Sequence, residues 1–299
     1  MLVTLRVLIN VALITLLERK ALSIRQFRVG PNKVGALGAL QPGADAVKLF
    51  TNSSTILGPI NGALFFLRPV IAIVLILIFL CLIRFNQDHL SSRYTIFIFL
   101  MILRLNVYPL LGSGWASNRK YAFIGGLRAA AQTISYEISL AFVLLRIALI
   151  WKSMTLIRFQ IKGQMVGYLF PAILIRGVWL ITVVAELNRT PFDFAEGESE
   201  LVSGFNIEYG SEKFAIIFLA EYGIIYIFSF LSAIMLINTT PAPHSLTAFV
   251  GILIRFFIIW LRATLPRFRY DLLILLTWKS ILPVSLGACQ LIILIFRAL

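Results

Sequence analysis

"ALFFLRPVIAIVLILIFLCLI", residues 63–83, holds a single charged residue, Arg68, between its first alanine and the arginine that follows at position 84. A helix crosses the hydrocarbon of a bilayer with roughly 17–25 apolar residues. Within lipid the backbone must satisfy its own hydrogen bonds, so only helices or closed barrels can span. Seven further apolar blocks run approximately over 2–17, 95–111, 133–150, 166–185, 214–237, 246–261 and 272–296. Barrel strands would alternate over about ten residues, and no such alternation is present. The chain is 60% hydrophobic and 13% charged, where a soluble domain carries about a quarter charged residues. The reading is an all-α polytopic membrane protein with about eight transmembrane helices, forming a single transmembrane domain over 1–299.

The first block, "MLVTLRVLINVALITLLERK", stays apolar to Leu17 and is followed by no small-residue cleavage pattern, so it reads as a permanent span. Cys81 and Cys289 lie far apart in separate apolar blocks. Zinc and iron–sulfur sites take close-set ligands, and two isolated thiols read as ordinary buried residues. His89 and His244 fall in short polar connections, and neither a G-x-G-x-x-G nor a P-loop pattern occurs. No bound cofactor or metal is expected of this chain alone.

Eight crossings put both termini on one side and sort the connections into two sets. The long ones, 18–62, 112–132, 186–213 and 262–271, fall on one face; 84–94, 151–165 and 238–245 fall on the other. The first face carries 14 Lys and Arg against 5 on the second. By the positive-inside rule the first face is the cytoplasmic or matrix side, and both termini lie opposite. Matching halves or paired broken helices, as in a repeat-built transporter, are absent from the pattern.

Against this basic background, "AELNRTPFDFAEGESELVSGFN", residues 185–206, is anomalous: Glu186, Asp193, Glu196, Glu198 and Glu200, with Glu208 just beyond, crowd one connection of a chain whose formal charge is +14. Glu186 stands three residues before Arg189, near enough on a helix to pair. Asp193, Glu196 and Glu200 would share one helical face, and Pro191 interrupts the helix. Clustered carboxylates raise one another's proton affinity, which suits a proton relay. The flanking Phe192, Phe194, Leu201, Val202 and Phe205 imply packing rather than free solvation. Glu137, where apolar character resumes, either snorkels to the interface or belongs to a functional path, whereas Glu221, inside "IIFLAEYGIIYIF", is costly in hydrocarbon and marks a proton, ion or substrate path. Both are expected to be buried in protein. In the first connection Arg25 and Arg28 would share a helix face, and Val47, Leu49 and Phe50 beside Lys48 form a short interfacial segment after Pro42. This connection and the acidic one should touch each other or a common soluble partner, with Arg25 or Arg28 near the route of a polar head group.

Together "ERKALSIRQFRVGPNKVG", "LQPGADAVKLF", "GSGWASNRKYAFIGGLRAAAQTISYE", "AELNRTPFDFAEGESELVSGFNIEY" and "RATLPRFRYDLL" resemble subunit 1, the membrane heel subunit, of respiratory complex I (NADH:ubiquinone oxidoreductase), over nearly the whole chain and in its mitochondrially encoded form. The resemblance implies an enzyme subunit with no complete active site of its own. Ubiquinone would be substrate at a shared chamber, with FMN and iron–sulfur clusters held by partner subunits. Implied partners are the soluble quinone-site and iron–sulfur subunits of the peripheral arm, neighbouring small and antiporter-like membrane subunits, and phospholipids, but no nucleic acid. It also implies the mitochondrial inner membrane, with long loops in the matrix and termini in the intermembrane space. Carried over by motif, the quinone chamber takes Arg19, Arg25, Arg28, Arg189, Glu186 and Asp193. The proton path takes Glu137, Glu186, Asp193, Glu196, Glu198, Glu200, Glu208 and Glu221. Leu187 stands where the family's motif has threonine. A heel subunit of a related membrane-bound hydrogenase is the nearest alternative, and an independent channel or transporter the unrelated one; a channel would act without soluble partners.

Arg68, Arg104, Arg146, Arg176 and Arg255 lie in or beside apolar blocks, and Arg119 lies where the family often has serine. Mid-span arginine costs about 2.5–3.5 kcal/mol on insertion scales. Some mitochondrial codes read AGA and AGG as serine, and a standard-style translation of such codons prints arginine. With six serines instead, the formal charge would fall from +14 to +8 and the basic face would keep its sign.

Overall fold

The computed structural model describes residues 2–53, 60–85, 94–151, 154–155, 169–194, 197, 204–206, 208–236 and 244–298. Among them there is helix and no strand. The helices are α1 (Leu2–Arg25), α2 (Gln41–Thr51), α3 (Gly62–Phe85), α4 (Thr95–Leu105), α5 (Val107–Ala116), α6 (Lys120–Trp151), α7 (Leu169–Glu186), α8 (Ser211–Leu236), α9 (His244–Thr264), α10 (Tyr270–Leu276) and α11 (Leu282–Ala298). Six described segments are long and apolar enough to cross a membrane: Gly62–Cys81, Thr95–Ala116, Lys120–Leu149, Ser211–Met235, Leu246–Thr264 and Tyr270–Leu291. Helices α1 and α7 stand where the first and fifth crossings are expected, with 24 and 18 residues.

Local chemistry explains the interruptions. Pro109 lacks the N–H that would reach the carbonyl of Leu105, and helix α4 gives way to α5 at Asn106. Pro283 follows a π-helical turn, Thr277–Ile281, which separates α10 from α11; a wider turn is a common way to accommodate such a break. Helix α2 begins with Pro42 in its first turn and buries none of its residues, as a segment at an interface would.

The expected connection over 112–132 is mostly helical. Helix α5 runs to Ala116 and α6 begins at Lys120. The glycines and serines that read as loop formers are contact residues: Gly114 faces Gly126, and a Cβ added to Gly114 would lie 2.7 Å from the Ala122 carbonyl oxygen. Small side chains let two helix backbones approach this closely.

The core joins α1, α3, α4, α6, α7 and α8 around Tyr136, Trp179 and Phe228. Trp179 Nε1 donates to Ser232 Oγ at 3.0 Å, pinning α7 to α8. The connections 84–94, 151–165 and 238–245 fall largely outside the described residues, as do Glu196, Glu198, Glu200 and His89.

Candidate functional site

Helix α7 ends because Asn188 adopts the left-handed conformation, with φ 48°, a terminating role asparagine tolerates. This turn redirects Arg189. The helical i to i+3 pairing expected of Glu186 and Arg189 does not form, since the intervening backbone is no longer helical. Instead Arg189 Nη1 reaches Glu18 Oε1 at 3.4 Å, across 171 positions of sequence.

Glu18 is 4% exposed and both its oxygens are engaged. Oε1 also accepts a hydrogen bond from Arg262 Nη1 in the last turn of α9, and Oε2 accepts from the Tyr222 hydroxyl at 2.7 Å. The Arg189 guanidinium carbon stands 4.6 Å from the Tyr222 ring centroid, within cation–π range. Four parts of the chain therefore meet on one carboxylate: α1, the connection after α7, α8 and α9. The starts of the 18–62, 186–213 and 262–271 connections thus meet through Glu18, Arg189 and Arg262.

Beside this cluster lies a cavity of about 50 Å³, whose polar lining is Arg68, Asn106, Glu186, Asn188, Arg189 and Glu221. A water molecule needs roughly 10–15 Å³ on this measure, so there is room for a few. Glu186 is 5% exposed. Among the described residues its Oε2 and Arg189 Nη2 make no hydrogen bond. Arg68 Nη1 donates to Asn206 Oδ1 at 3.0 Å, and its guanidinium lies over Phe205 and Tyr209 at 4.6 and 5.0 Å. Tyr209, in the connection before α8, stacks on Phe65 at 4.1 Å. Burial raises its phenol pKa and the Arg68 charge opposes that rise, so the hydroxyl stays neutral at physiological pH. Leu187 is buried at the cavity wall, filling with apolar surface a position where the resemblance anticipates a hydroxyl.

The remaining expected site residues separate into smaller groups. Glu137 is 7% exposed and accepts from Arg104 Nε at 2.7 Å. Glu208 pairs with Arg119 at 3.0 Å. Asp193 is buried with Arg267 Nη2 at 3.6 Å and sits in non-helical chain; Glu196 and Glu200, expected to share a helical face with it, lie outside the described residues. Arg19 pairs with Asp45 at 2.6 Å, at the surface. Arg25 is exposed, and Arg28 Nε donates to Gln26 Oε1 at 2.7 Å. None of these three arginines lines the cavity. The first and acidic connections do touch, through Glu18 with Arg189 and through Ser211 Oγ donating to the Ser53 carbonyl at 3.0 Å. No group of three His, Cys, Asp or Glu side chains able to hold a metal ion occurs among the described residues.

Sequence reasoning missed Glu18 and Tyr222 as parts of the site. Glu18 had a usable signal, being the first acid after a long apolar block. Tyr222 had none, because its role depends on helices meeting; Arg262, with Arg267 and Arg269, is legible as a basic run on the face of the acidic connection, able to balance it, bridge to it or bind another subunit.

Comparison with known proteins decides the family. Residues 1–293 match the family model described as NADH dehydrogenase. The chain is 46% identical over 286 residues to NADH-ubiquinone oxidoreductase chain 1 of Aedes aegypti, covering 94% of this chain and 90% of the relative. It is 43% identical over 290 residues to chain 1 of Balaenoptera physalus, covering 95% and 91%. The chain belongs to the NADH-ubiquinone oxidoreductase chain 1 family. In this chain 1 family member the ion cluster of Glu18, Arg189 and Arg262 lies beside a polar cavity. The same match covers the Anopheles gambiae chain 1 at 46% identity over 282 residues, 94% of this chain and 89% of the relative.

Proposed function

We propose that this chain, a membrane subunit of NADH:ubiquinone oxidoreductase, contributes a wall of the ubiquinone chamber and the first carboxylates of a path coupling quinone reduction to proton translocation. The observation that carries the reading is the convergence of Glu186, Arg189 and Glu221 on one cavity large enough for water. Two carboxylates and a guanidinium in a low-dielectric pocket respond strongly to a nearby change of charge. Negative charge developing on a quinone near Arg189 would draw the guanidinium's field away from Glu186 and Glu221 and raise their proton affinity. Asp193 and Glu137 extend the row on either side, with Glu196, Glu198, Glu200 and Glu208 of the acidic connection completing it. Arg19, Arg25 and Arg28 supply a basic surface towards the soluble arm.

In this reading the chain sits in the mitochondrial inner membrane, its long connections in the matrix and its termini in the intermembrane space. NADH oxidation, flavin and iron–sulfur chemistry belong to partner subunits, and this chain moves protons at Glu186 and Glu221.

The test is Glu221→Gln in the assembled enzyme in sealed vesicles. Quinone-linked proton pumping should fall while NADH oxidation by an artificial acceptor persists. Full coupled turnover would overturn the reading.

A further inference from the structure

We infer that Glu18 is a positioning residue for Arg189, fixing that guanidinium at the cavity wall where it faces Glu186 and Glu221. This rests on the proposed role of the cavity in coupling.

Arg189 leaves α7 through the left-handed turn at Asn188 and belongs to a connection with no regular secondary structure of its own between Leu187 and Phe194. Nothing local orients so long a side chain. Its position comes from two tertiary supports: the Glu18 carboxylate at 3.4 Å and the Tyr222 ring at 4.6 Å. Glu18 also places the second support, because its other oxygen takes the Tyr222 hydroxyl at 2.7 Å. Loss of the Glu18 side chain would therefore disturb both supports at once, and loss of its charge alone the first of them.

The direction in which Arg189 would go follows from its neighbours. Glu186 and Glu221 share the cavity with it, and Glu186 Oε2 makes no hydrogen bond among the described residues. With Glu18 neutral, the guanidinium is drawn to these carboxylates, and a charge-assisted pair there would hold them ionised and unable to relay. Glu18 thus keeps a cation close to the two carboxylates without letting it neutralise them. Arg262 is part of the same balance. It supplies the second positive charge on Glu18 Oε1, so Glu18 is shared between a cation that reaches the cavity and one anchored at the end of α9.

This account differs from a merely structural ion pair in what it predicts for paired variants. Glu18→Gln preserves the shape and a hydrogen bond for Tyr222 while removing the charge. In the assembled enzyme it should lower coupled NADH:ubiquinone turnover on the order of tenfold or more, with artificial-acceptor activity unchanged. Glu18→Asp should recover a large part of that loss. In an Arg189→Gln background, Glu18→Gln should cause no further loss, because the group it acts through is gone.

A density map of the assembled Glu18→Gln enzyme reads the geometry directly. The Arg189 guanidinium should leave the Tyr222 ring and turn towards Glu186 or Glu221. An unmoved Arg189, or additive losses in the double variant, would overturn the positioning role. A displaced Arg189 with full coupled turnover would instead overturn the cavity's part in coupling, so the two failures are distinct. Should Glu18→Gln fail to assemble, Tyr222→Phe removes one anchor of Glu18 and serves the same map; Arg189 shifting there supports the inference, and Arg189 in place counts against it.

Discussion

Gln132, inside α6, ties down Phe192: its side-chain amide donates to the Phe192 carbonyl at 2.8 Å and to the Ala185 carbonyl at 2.9 Å. One buried side chain on a neighbouring helix thus joins the last turn of α7 to the connection that carries Arg189 and Asp193. Gln132→Leu should remove both bonds, at about 0.5–1.5 kcal/mol each, while each carbonyl keeps a backbone donor, Asn188 N–H on Ala185 and Phe194 N–H on Phe192. The measurement is the heat-inactivation midpoint of the assembled enzyme, which should drop, with coupled activity lost before artificial-acceptor activity. An unchanged midpoint would show that the amide is dispensable.

Helix α5 approaches α6 at Gly114 and Gly126. Backbone atoms, rather than flexible side-chain ends, stand within 3.3 Å of a Cβ at Gly114. Gly114→Val should therefore force the two helices apart, and overpacking of this kind costs about 1–3 kcal/mol. Reduced incorporation of the chain into the enzyme, read on native gels, is the expected result. Gly112→Ala is the control, since nothing lies near its added Cβ.

Two ion pairs in neighbouring connections should respond very differently. Arg267 faces the buried Asp193 at 3.6 Å, too long for a hydrogen bond, with 31% of its own side chain exposed, and a long, half-exposed contact of this kind contributes about 0–1 kcal/mol. Arg267→Ala should shift thermal inactivation little. Glu18→Ala strips the partner from Arg189 and Arg262 together, and breaking a buried pair costs about 3–5 kcal/mol. Equal losses in the two variants would contradict this ranking.

The six arginines at positions 68, 104, 119, 146, 176 and 255 are expected to be serine at most positions in the native polypeptide. Their settings differ. Arg104 and Arg119 meet Glu137 and Glu208, whereas Arg255 Nε donates to the Gly251 carbonyl of its own helix at 3.1 Å and its guanidinium lies over Tyr226. Serine makes the same kind of bond to its own helix without a charge. Peptide mass spectrometry of the native subunit decides each position. Arginine masses at all six would dismiss the idea, and serine at 104 would leave Glu137 without its guanidinium.

The all-helical membrane architecture was determined by sequence alone, because crossing a bilayer is a local requirement: apolar blocks must be long, and the backbone must bond to itself. The acid-rich stretch after α7 and the family motifs were legible for the same reason, as properties of contiguous residues. Spacing failed wherever it assumed a helix that had ended. Glu186 and Arg189 are neighbours only in helical geometry, and the left-handed turn at Asn188 cancels it. Composition failed at 112–132, where small residues that favour loops in water serve instead to bring α5 against α6. Tertiary structure alone decided that Glu18 serves Arg189, Arg262 and Tyr222. A buried carboxylate takes whichever donors the helices bring to it, and which helices meet depends on side-chain packing between segments that lie up to 244 positions apart.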